Sequence, residues 1–249
     1  MSYRTNIAYL YDGSFEGLLC CVYASYYQKE LPSMIFHYGE EQGTLFPVSE
    51  IITDCAAAKK VELSIAGKIS REALRLAQLC YLSHMENREV TILRFLRMGY
   101  KIGPQVTNML AHNVVGAIAK GAQNVQREAH FHREFLRFSE YNGSLVATIE
   151  PKNFVLPLVS THFCDRFPSE NFMIYDKSHN CAFVYQGGEK SLIALEHLEL
   201  PKAGAEEEKY RALWKRFYNT IAIEGRLNPK LRMNNMPKRY WAHMTEFAD

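Results

Sequence analysis

The sequence predicts an α+β protein that is mainly helical, with a small antiparallel sheet formed mostly by residues 136–195. Apolar residues recur every three or four positions through most of residues 50–137, whereas after Arg137 they recur every second position. A change in period from about 3.6 to 2 indicates that helices give way to strands. The 249 residues are 47% apolar and 22% charged, which is typical of a globular domain and excludes a disordered tail or a collagen-like fibre.

The whole chain, residues 1–249, is predicted to be a single domain with three sub-regions. A mainly helical part (1–137) is followed by an antiparallel sheet with a helix (138–200) and by a basic helical end (209–249). Three successive glutamates and a glycine between residues 201 and 208 indicate a linker before that end.

The first element is predicted to be a strand that leads into a helix. Residues 7–11 alternate large and small side chains, Asp12 and Gly13 supply turn chemistry, and Ser14 is a typical N-cap. The residues that follow have the i, i+3, i+4, i+7 spacing of a buried helical stripe. They are Phe15, Leu18, Leu19, Val22, Tyr23 and Tyr26.

Residues 50–137 are predicted to be mostly helical. Ser70 can cap one helix, Gly99 fits the position just after the end of the next, and Pro104 can begin a third. The stretch from Val106 to Leu136 can be covered by one helix or by two, because the sequence does not fix a break there.

The sheet is predicted from turn signals. Asn142 and Gly143 stand between two apolar runs, which is a strong hairpin signal. Residues 172–175 and 182–185 are predicted as two further strands joined by a polar turn, and residues 154–167 are predicted to contain a helix.

Charge is unevenly distributed along a nearly neutral chain of 29 basic and 27 acidic residues. Residues 1–58 carry a net charge of −5, from two basic and seven acidic residues, while residues 209–239 carry +8, from nine basic and one acidic. A basic end on a neutral protein suggests an anionic partner, most commonly nucleic acid. The alternative is a solvated helix face followed by a basic loop.

The location and redox state are predicted from what the sequence lacks. No apolar run approaches the ~20 residues of a membrane-spanning helix, and the N-terminus shows no secretory signal. We therefore expect a cytoplasmic protein with no membrane partner, whose six cysteines are free thiols. Phosphate-loop, dinucleotide, zincin, serine-hydrolase and iron–sulfur motifs are missing, and no cofactor is predicted.

Three local pairs have the residue types of metal ligands: His130 with His132, His162 with Cys164, and His179 with Cys181. Residues two apart on a helix point about 200° from each other and do not chelate one ion. The last pair lies in a predicted turn. No metal site is predicted.

The segment from Arg127 to Phe138 is amphipathic if helical. Its phenylalanines form an apolar stripe, and His130, Arg133 and Arg137 lie together on a neighbouring face that suits phosphate. The alternative is ordinary packing, with the charges paired to Glu128 and other neighbours along the helix.

The C-terminal end interleaves cations with aromatic residues, which suits nucleic acid because cations neutralise phosphates and rings stack on bases. Trp214 and Phe217 have helical spacing and are expected to pack inward, whereas Tyr218, Tyr240 and Trp241 are candidates for stacking. The candidate binding residues of this end are Lys215, Arg216, Tyr218, Arg226, Lys230, Arg232, Lys238, Arg239, Tyr240 and Trp241.

Asp12 is the candidate catalytic residue, because it lies at a strand-to-helix turn. An Asp-Gly turn residue more often has a purely structural role. His84, His112 and His197 have no evident partner in the sequence and are interpreted as structural.

Three segments together resemble a known family. They are Tyr11–Leu18, His130–Phe138, and the stretch from Leu213-Trp214 through Met236-Pro237-Lys238-Arg239-Tyr240-Trp241. This combination resembles the uncharacterised "probable DNA metabolism protein" family. The resemblance implies that this protein accompanies a radical-SAM protein of DNA modification or repair. It also implies that a related domain is found fused to uracil-DNA-glycosylase-like proteins. Residues 39–126 contribute no motif to it.

We therefore expect an accessory protein in DNA repair or modification that binds DNA, a radical-SAM partner enzyme, or both, through a basic and aromatic surface. The alternative is a stand-alone enzyme that acts on a nucleobase or nucleotide with Asp12 and a histidine. A third hypothesis is a purely structural scaffold.

Overall fold

The structure is a computed structural model that describes residues 3–39, 43–200, 204–223, 225 and 228–247. The chain forms two compact units, Met1–Val125 and Gln126–Asp249. Each unit contains one β-sheet, and helices make up most of the remaining structure. The predicted α+β class is confirmed.

The N-terminal unit contains a three-stranded parallel sheet in the order β2-β1-β3. Only the first strand is predicted from the sequence as a regular strand, because the other two are too short to show a period of two. The strands are β1 (Ala8–Tyr11), β2 (Met34–His37) and β3 (Val48–Glu50).

The helices of this unit begin where the sequence supplies caps. Ser14 Oγ accepts a hydrogen bond from Gly17 N at 2.9 Å, and Ser70 Oγ accepts one from Ala73 N at 3.0 Å, so both predicted N-caps are confirmed. The helices are α1 (Phe15–Tyr27), α2 (Cys55–Lys68), α3 (Arg71–Tyr81), α4 (Arg88–Ile102) and the first part of α5 (Asn113–Phe135), with a 3₁₀ helix at Pro104–Asn108.

The prediction that Gly99 ends a helix is wrong. Gly99 lies inside α4, where a Cβ atom would approach Ile69 Cδ1 to 2.7 Å, so the glycine permits close packing. Gly103, with φ of +80°, follows the helix instead. The stretch that could hold one helix or two contains the 3₁₀ helix and then the 23-residue α5.

The C-terminal unit contains a five-stranded sheet in the order β4-β5-β6-β7-β8. Asn142 and Gly143 both have positive φ and form the predicted hairpin turn between β4 and β5. The sheet is mixed, and the prediction of a wholly antiparallel sheet is wrong, because α6 (Leu156–Arg166) carries the chain across to a parallel partner of β5. The strands are β4 (Ser139–Tyr141), β5 (Ser144–Ile149), β6 (Phe172–Asp176), β7 (Cys181–Gln186) and β8 (Glu189–Ala194).

Two further helices follow the sheet, α7 (Ala205–Thr220) and α8 (Pro229–Asn235), with a 3₁₀ segment at Lys238–His243. The glutamates assigned to a linker form the first turn of α7, where negative charge is favourable. Trp214 and Phe217 do not pack inward as expected: they are 40% and 52% exposed, and α7 has no buried residue.

The remaining structural predictions concern thiols, metals and membranes. All six cysteines are free thiols. Within the described residues, no set of three or more His, Cys, Asp or Glu side chains is arranged to hold a metal ion. No helix in the same residues combines the length and hydropathy needed to cross a bilayer.

Candidate nucleic-acid interface

Asp12 caps its own turn. Its Oδ1 atom accepts hydrogen bonds from Ser14 N at 2.9 Å and Ser14 Oγ at 2.7 Å. Partial burial alone would raise the pKa of Asp12, but these hydrogen bonds outweigh it and hold the pKa below its ordinary value. A Cβ atom at Gly17 would overlap Oδ1, so the glycine makes room for the carboxylate over the start of α1. Asp12 lines none of five well-formed pockets among the described residues.

The two distant motifs of the C-terminal unit meet through a buried carboxylate. Glu128, on α5, is buried and accepts hydrogen bonds from Asn153 N at 2.8 Å, Asn153 Nδ2 at 2.6 Å and Lys152 N at 3.1 Å. Arg239 Nη1 lies 3.0 Å from Glu128 Oε1. Burial raises the pKa of Glu128, but the hydrogen bonds and the guanidinium together hold it below its usual range.

Tyr240 fixes the same junction by packing. Its side chain is 6% exposed, and its ring contacts Phe131, His132 and Phe135 on α5 at centroid distances of 5.6, 5.0 and 5.6 Å. We call Glu128, Arg239 and Tyr240 the buried clamp, after its buried carboxylate and ring; the side chain of Arg239 is 43% exposed. Because its cation is paired and its ring is covered, the clamp holds the C-terminal segment against α5 and does not offer Tyr240 to a base.

His132 lies beside the buried clamp in an apolar environment. Burial lowers its pKa to about 4, so the imidazole is neutral near pH 7. Its Nε2 atom is buried without a hydrogen-bond partner among the described residues. The adjacent pocket, also lined by Glu150 and His243, has a volume of about 10 Å³, which is room for about one water molecule and excludes a substrate.

Arg137 is engaged by a second carboxylate. The helix α5 ends at Phe135, so Arg137 lies beyond the helical face on which the sequence places it. Its Nη2 atom donates to Glu246 Oε1 at 2.7 Å, while Trp214 Nε1 donates to Glu246 Oε2 at 3.1 Å. Glu246 thus joins both Arg137 and α7 to the C-terminal tail.

A different arrangement surrounds Trp241. The indole ring stacks on Phe247 with centroids 4.4 Å apart and planes 17° apart, and Trp241 Nε1 donates to Met236 O at 3.0 Å. Arg232 lies over the Trp241 ring at 5.2 Å and over the Phe247 ring at 5.5 Å, and Lys238 Nζ lies 5.8 Å from the Trp241 centroid. Tyr218 meets the edge of Phe247 at 5.6 Å. We call Trp241, Phe247, Arg232, Lys238 and Tyr218 the Trp241 platform.

The cations of the Trp241 platform differ from those of the buried clamp. Neither Arg232 nor Lys238 has a carboxylate within ion-pair distance in the described part of the chain. Lys238 is exposed and Arg232 is half-buried. The platform therefore presents net positive charge next to aromatic rings, an arrangement suited to phosphate and base.

The remaining predicted binding residues of this unit fall into three groups. Arg133, Arg216 and Lys230 are exposed and have no ion pair with any described residue. His130 Nε2 lies 3.1 Å from Glu134 Oε1, and Lys215 is half-buried at the edge of a pocket that also includes Arg211. Arg226 lies outside the described residues.

Two grooves beside these residues were not predicted. One, of about 780 Å³, runs along the exposed face of α7 and is lined by apolar side chains that include Tyr210, Leu213 and Phe217. The other, of about 540 Å³, adjoins Tyr218 and Arg232 and has the amides of Asn219, Asn228 and Asn235 in its wall. The apolar stripe of α7 is visible in the sequence, but its spacing does not distinguish a buried face from an exposed one.

The fold, with its buried clamp and Trp241 platform, belongs to a recognised family. A family model described as a domain of unknown function, DUF4130, matches residues 86–246, and the chain belongs to this family. The matched range contains all three residues of the buried clamp. Of the three segments that carry the resemblance, it leaves out Tyr11–Leu18. No curated protein and no solved structure is detectably similar to the chain. Membership of an uncharacterised family, predicted from the three motifs, is thus confirmed, while the links to DNA metabolism and to a radical-SAM enzyme stay predictions.

Proposed function

We propose that this protein is an accessory protein in DNA repair or modification, and that its C-terminal unit binds DNA through the Trp241 platform. The observation that carries the proposal is the position of Arg232 and Lys238 over a stacked Trp241–Phe247 pair, without a carboxylate among the described residues to neutralise them. A cation over an aromatic ring keeps its charge, because the contact is an attraction to the ring quadrupole and supplies no opposite charge.

The chemistry of the Trp241 platform favours unpaired nucleotides. An aromatic ring gains from stacking only on a base whose face is free, and this is worth about 1–3 kcal/mol per base. The cations contribute through phosphate neutralisation, which either single or double strands can supply. Arg216 and Lys230 extend the positive charge beyond the platform. We therefore propose preferential binding to single-stranded or locally opened DNA.

The partner enzyme is proposed to dock on α7. Its exposed side chains include Tyr210, Leu213, Phe217 and Ile221, which follow the spacing of one helical stripe. An exposed apolar stripe of this size is typical of an interaction surface. The family resemblance suggests the radical-SAM protein as the partner that binds there. Co-purification of the two proteins tests this half of the proposal. Leu213→Glu should abolish co-purification, and Leu63→Glu should retain it. Leu63 is similarly exposed but lies on α2.

The alternative of a stand-alone enzyme has less support. The carboxylate of Asp12 is engaged by Ser14, and the pocket beside His132 admits only about one water molecule. No other described observation favours a reaction over binding.

Fluorescence anisotropy with a labelled 12-nucleotide single strand, measured across a salt series, tests DNA binding. Wild type should bind with a log affinity that falls linearly with log salt concentration. Arg232→Gln with Lys238→Gln should lower the slope by about 1.4, because a single strand contributes about 0.7 per phosphate contacted. The matched control is Arg94→Gln with Lys120→Gln, which removes the same charge from two exposed residues outside the Trp241 platform.

Two results would remove the DNA half of the proposal. One is the absence of any salt-sensitive association by wild type. The other is an equal loss of slope in the control variant, since this would assign the effect to total charge and not to the Trp241 platform.

A further inference from the structure

A groove in the N-terminal unit is lined by tyrosines. Its volume is about 570 Å³, and it is formed by side chains of α1, α2 and α4. We call it the tyrosine groove, defined by Tyr23, Tyr26, Tyr27, Tyr100, Lys60 and Lys68. Neither the predicted sites nor the proposed function involves these residues.

The rings of the tyrosine groove fall into two pairs with different exposure. Tyr23 and Tyr27 are one helical turn apart on α1, with nearly parallel rings whose centroids are 6.1 Å apart, and Tyr27 is 77% exposed. Tyr26 meets Tyr100 edge to face at 5.8 Å, and the guanidinium of Arg97 lies over Tyr26 at 4.2 Å. The second pair is thus held in place, while the first presents free ring faces.

Arg97, on α4, contacts α1 at the tyrosine groove. Its side chain is largely buried, Nη1 donates to Ser25 Oγ at 2.8 Å, and the guanidinium also lies over Tyr3 at 4.4 Å. Because these contacts hold α1 against α4, the exposed rings of Tyr23 and Tyr27 lose little conformational entropy when a ligand binds.

The charge of the tyrosine groove is positive. Lys60 and Lys68 are exposed on α2, neither forms an ion pair with a described residue, and the lining residues include no carboxylate. The neighbouring Lys59, by contrast, is paired with Glu62 at 2.6 Å. Eight residues of α-helix separate the two lysines by about 12 Å. A single strand of nucleic acid, with a rise of about 3.4 Å per nucleotide, has three or four phosphates over that length.

From this arrangement we infer that the tyrosine groove binds a short segment of single-stranded nucleic acid. Bases stack on Tyr23 and Tyr27, and Lys60 and Lys68 neutralise phosphates at the two ends of the segment. The combination of free aromatic faces with unpaired cations matches this ligand, because every base has a face on which to stack and the backbone is anionic. A proline-rich peptide also uses aromatic grooves, but it does not need the two lysines.

The inference does not rest on the Trp241 platform, and the experiment separates the two sites. Binding is measured by fluorescence anisotropy on the full chain carrying Arg232→Gln and Lys238→Gln. Two labelled probes are used, dT12 and a 12-mer of abasic sites that has phosphates without bases. Circular dichroism confirms that each variant is folded.

In that background, dT12 should still bind, and Tyr27→Ala should weaken its binding about tenfold while the abasic probe is unaffected. Tyr27→Phe should bind like the parent, because the ring and not the hydroxyl makes the contact. Lys60→Gln with Lys68→Gln should lower the salt slope by about 1.4 for both probes. The matched control is Tyr38→Ala, since Tyr38 is exposed to nearly the same degree as Tyr23 but lies outside the groove.

Three outcomes with the DNA probe would overturn the inference. They are a complete loss of dT12 binding in the background variant, an unchanged dT12 affinity in Tyr27→Ala, and an equal loss in Tyr38→Ala. Binding of a proline-rich peptide that depends on Tyr27, with no binding of dT12, would also overturn it. The function proposed for the Trp241 platform is tested separately, by comparing wild type with the background variant.

Discussion

The buried clamp and the Trp241 platform contain the same kinds of residue and have different environments. Arg239 and Tyr240 face the buried carboxylate of Glu128 and the rings of α5, whereas their neighbours Lys238 and Trp241 meet no described carboxylate. Accessibility does not separate the two cations, because Arg239 and Lys238 are both exposed. The four residues are consecutive in the chain. A run of cations and aromatics therefore does not define a binding surface, because a nearby carboxylate decides which cations are free to bind an anion.

The largest expected effect is on the buried clamp. Glu128→Gln removes the charge that faces Arg239 and disturbs the hydrogen bonds from Asn153 and Lys152, so the free energy of unfolding should fall by about 3 kcal/mol. Chemical denaturation of the full chain measures it. Glu134→Gln, which changes an exposed carboxylate in contact with His130 Nε2, is the control and should cost less than about 0.5 kcal/mol. Equal losses in the two variants would contradict a structural role for Glu128.

Tyr240→Ala should destabilise the protein by a similar amount, about 3 kcal/mol, because it opens a cavity among Phe131, His132 and Phe135. Denaturant titration gives the loss. Under conditions where the variant stays folded, its affinity for single-stranded DNA should match wild type. A selective loss of DNA binding without destabilisation would instead place Tyr240 at the interface.

The stability of the C-terminal unit should depend on pH through His132. The folded-state pKa of about 4 lies below the ordinary 6.5, so the unfolded chain binds more protons between these values. The stabilisation is fully present above pH 6.5 and is lost as the pH falls through 4, by a total of about 3 kcal/mol. Denaturation of wild type and His132→Gln at pH 7 and pH 4.5 should show a smaller pH dependence in the variant.

If His132→Gln kept the full pH dependence of wild type between pH 7 and pH 4.5, the burial of His132 would not be its cause.

A smaller effect is expected from the Trp241 platform. Trp241→Ala removes a stacking surface and should weaken binding of single-stranded DNA by about 1–2 kcal/mol, roughly 5- to 30-fold. Anisotropy titration at fixed salt measures it. Trp214→Ala is the matched control, because Trp214 is partly exposed but is tied to Glu246 and lies outside the platform.

Local features of the fold could be predicted from the sequence, because each depends on a few adjacent residues. The caps at Ser14 and Ser70 and the hairpin turn at Asn142 and Gly143 are of this kind. The role of Gly99 cannot be predicted in this way, because it is a tertiary contact with Ile69. The parallel pairing of β5 with β6 is not predictable for a similar reason, since strand direction depends on a crossover and not on the period of either strand.

The candidate site was only partly predictable. The residue types of the Trp241 platform and of the buried clamp are evident in the sequence, but the pairing of Glu128 with Arg239 joins positions far apart in the chain. Apolar periodicity also failed at Trp214 and Phe217, because it identifies an apolar face of α7 without showing what covers it. The prediction that Tyr23 and Tyr26 of α1 are buried fails for the same reason, because they are 53% and 38% exposed.

Two single substitutions at adjacent positions test the distinction between clamp and platform most directly. Lys238→Gln and Arg239→Gln are compared for unfolding free energy and for the salt slope of single-stranded DNA binding. Lys238→Gln should leave stability within about 0.5 kcal/mol and lower the slope by about 0.7, whereas Arg239→Gln should cost about 2 kcal/mol of stability and leave the slope unchanged. Equal effects of the two substitutions on the slope would contradict the distinction.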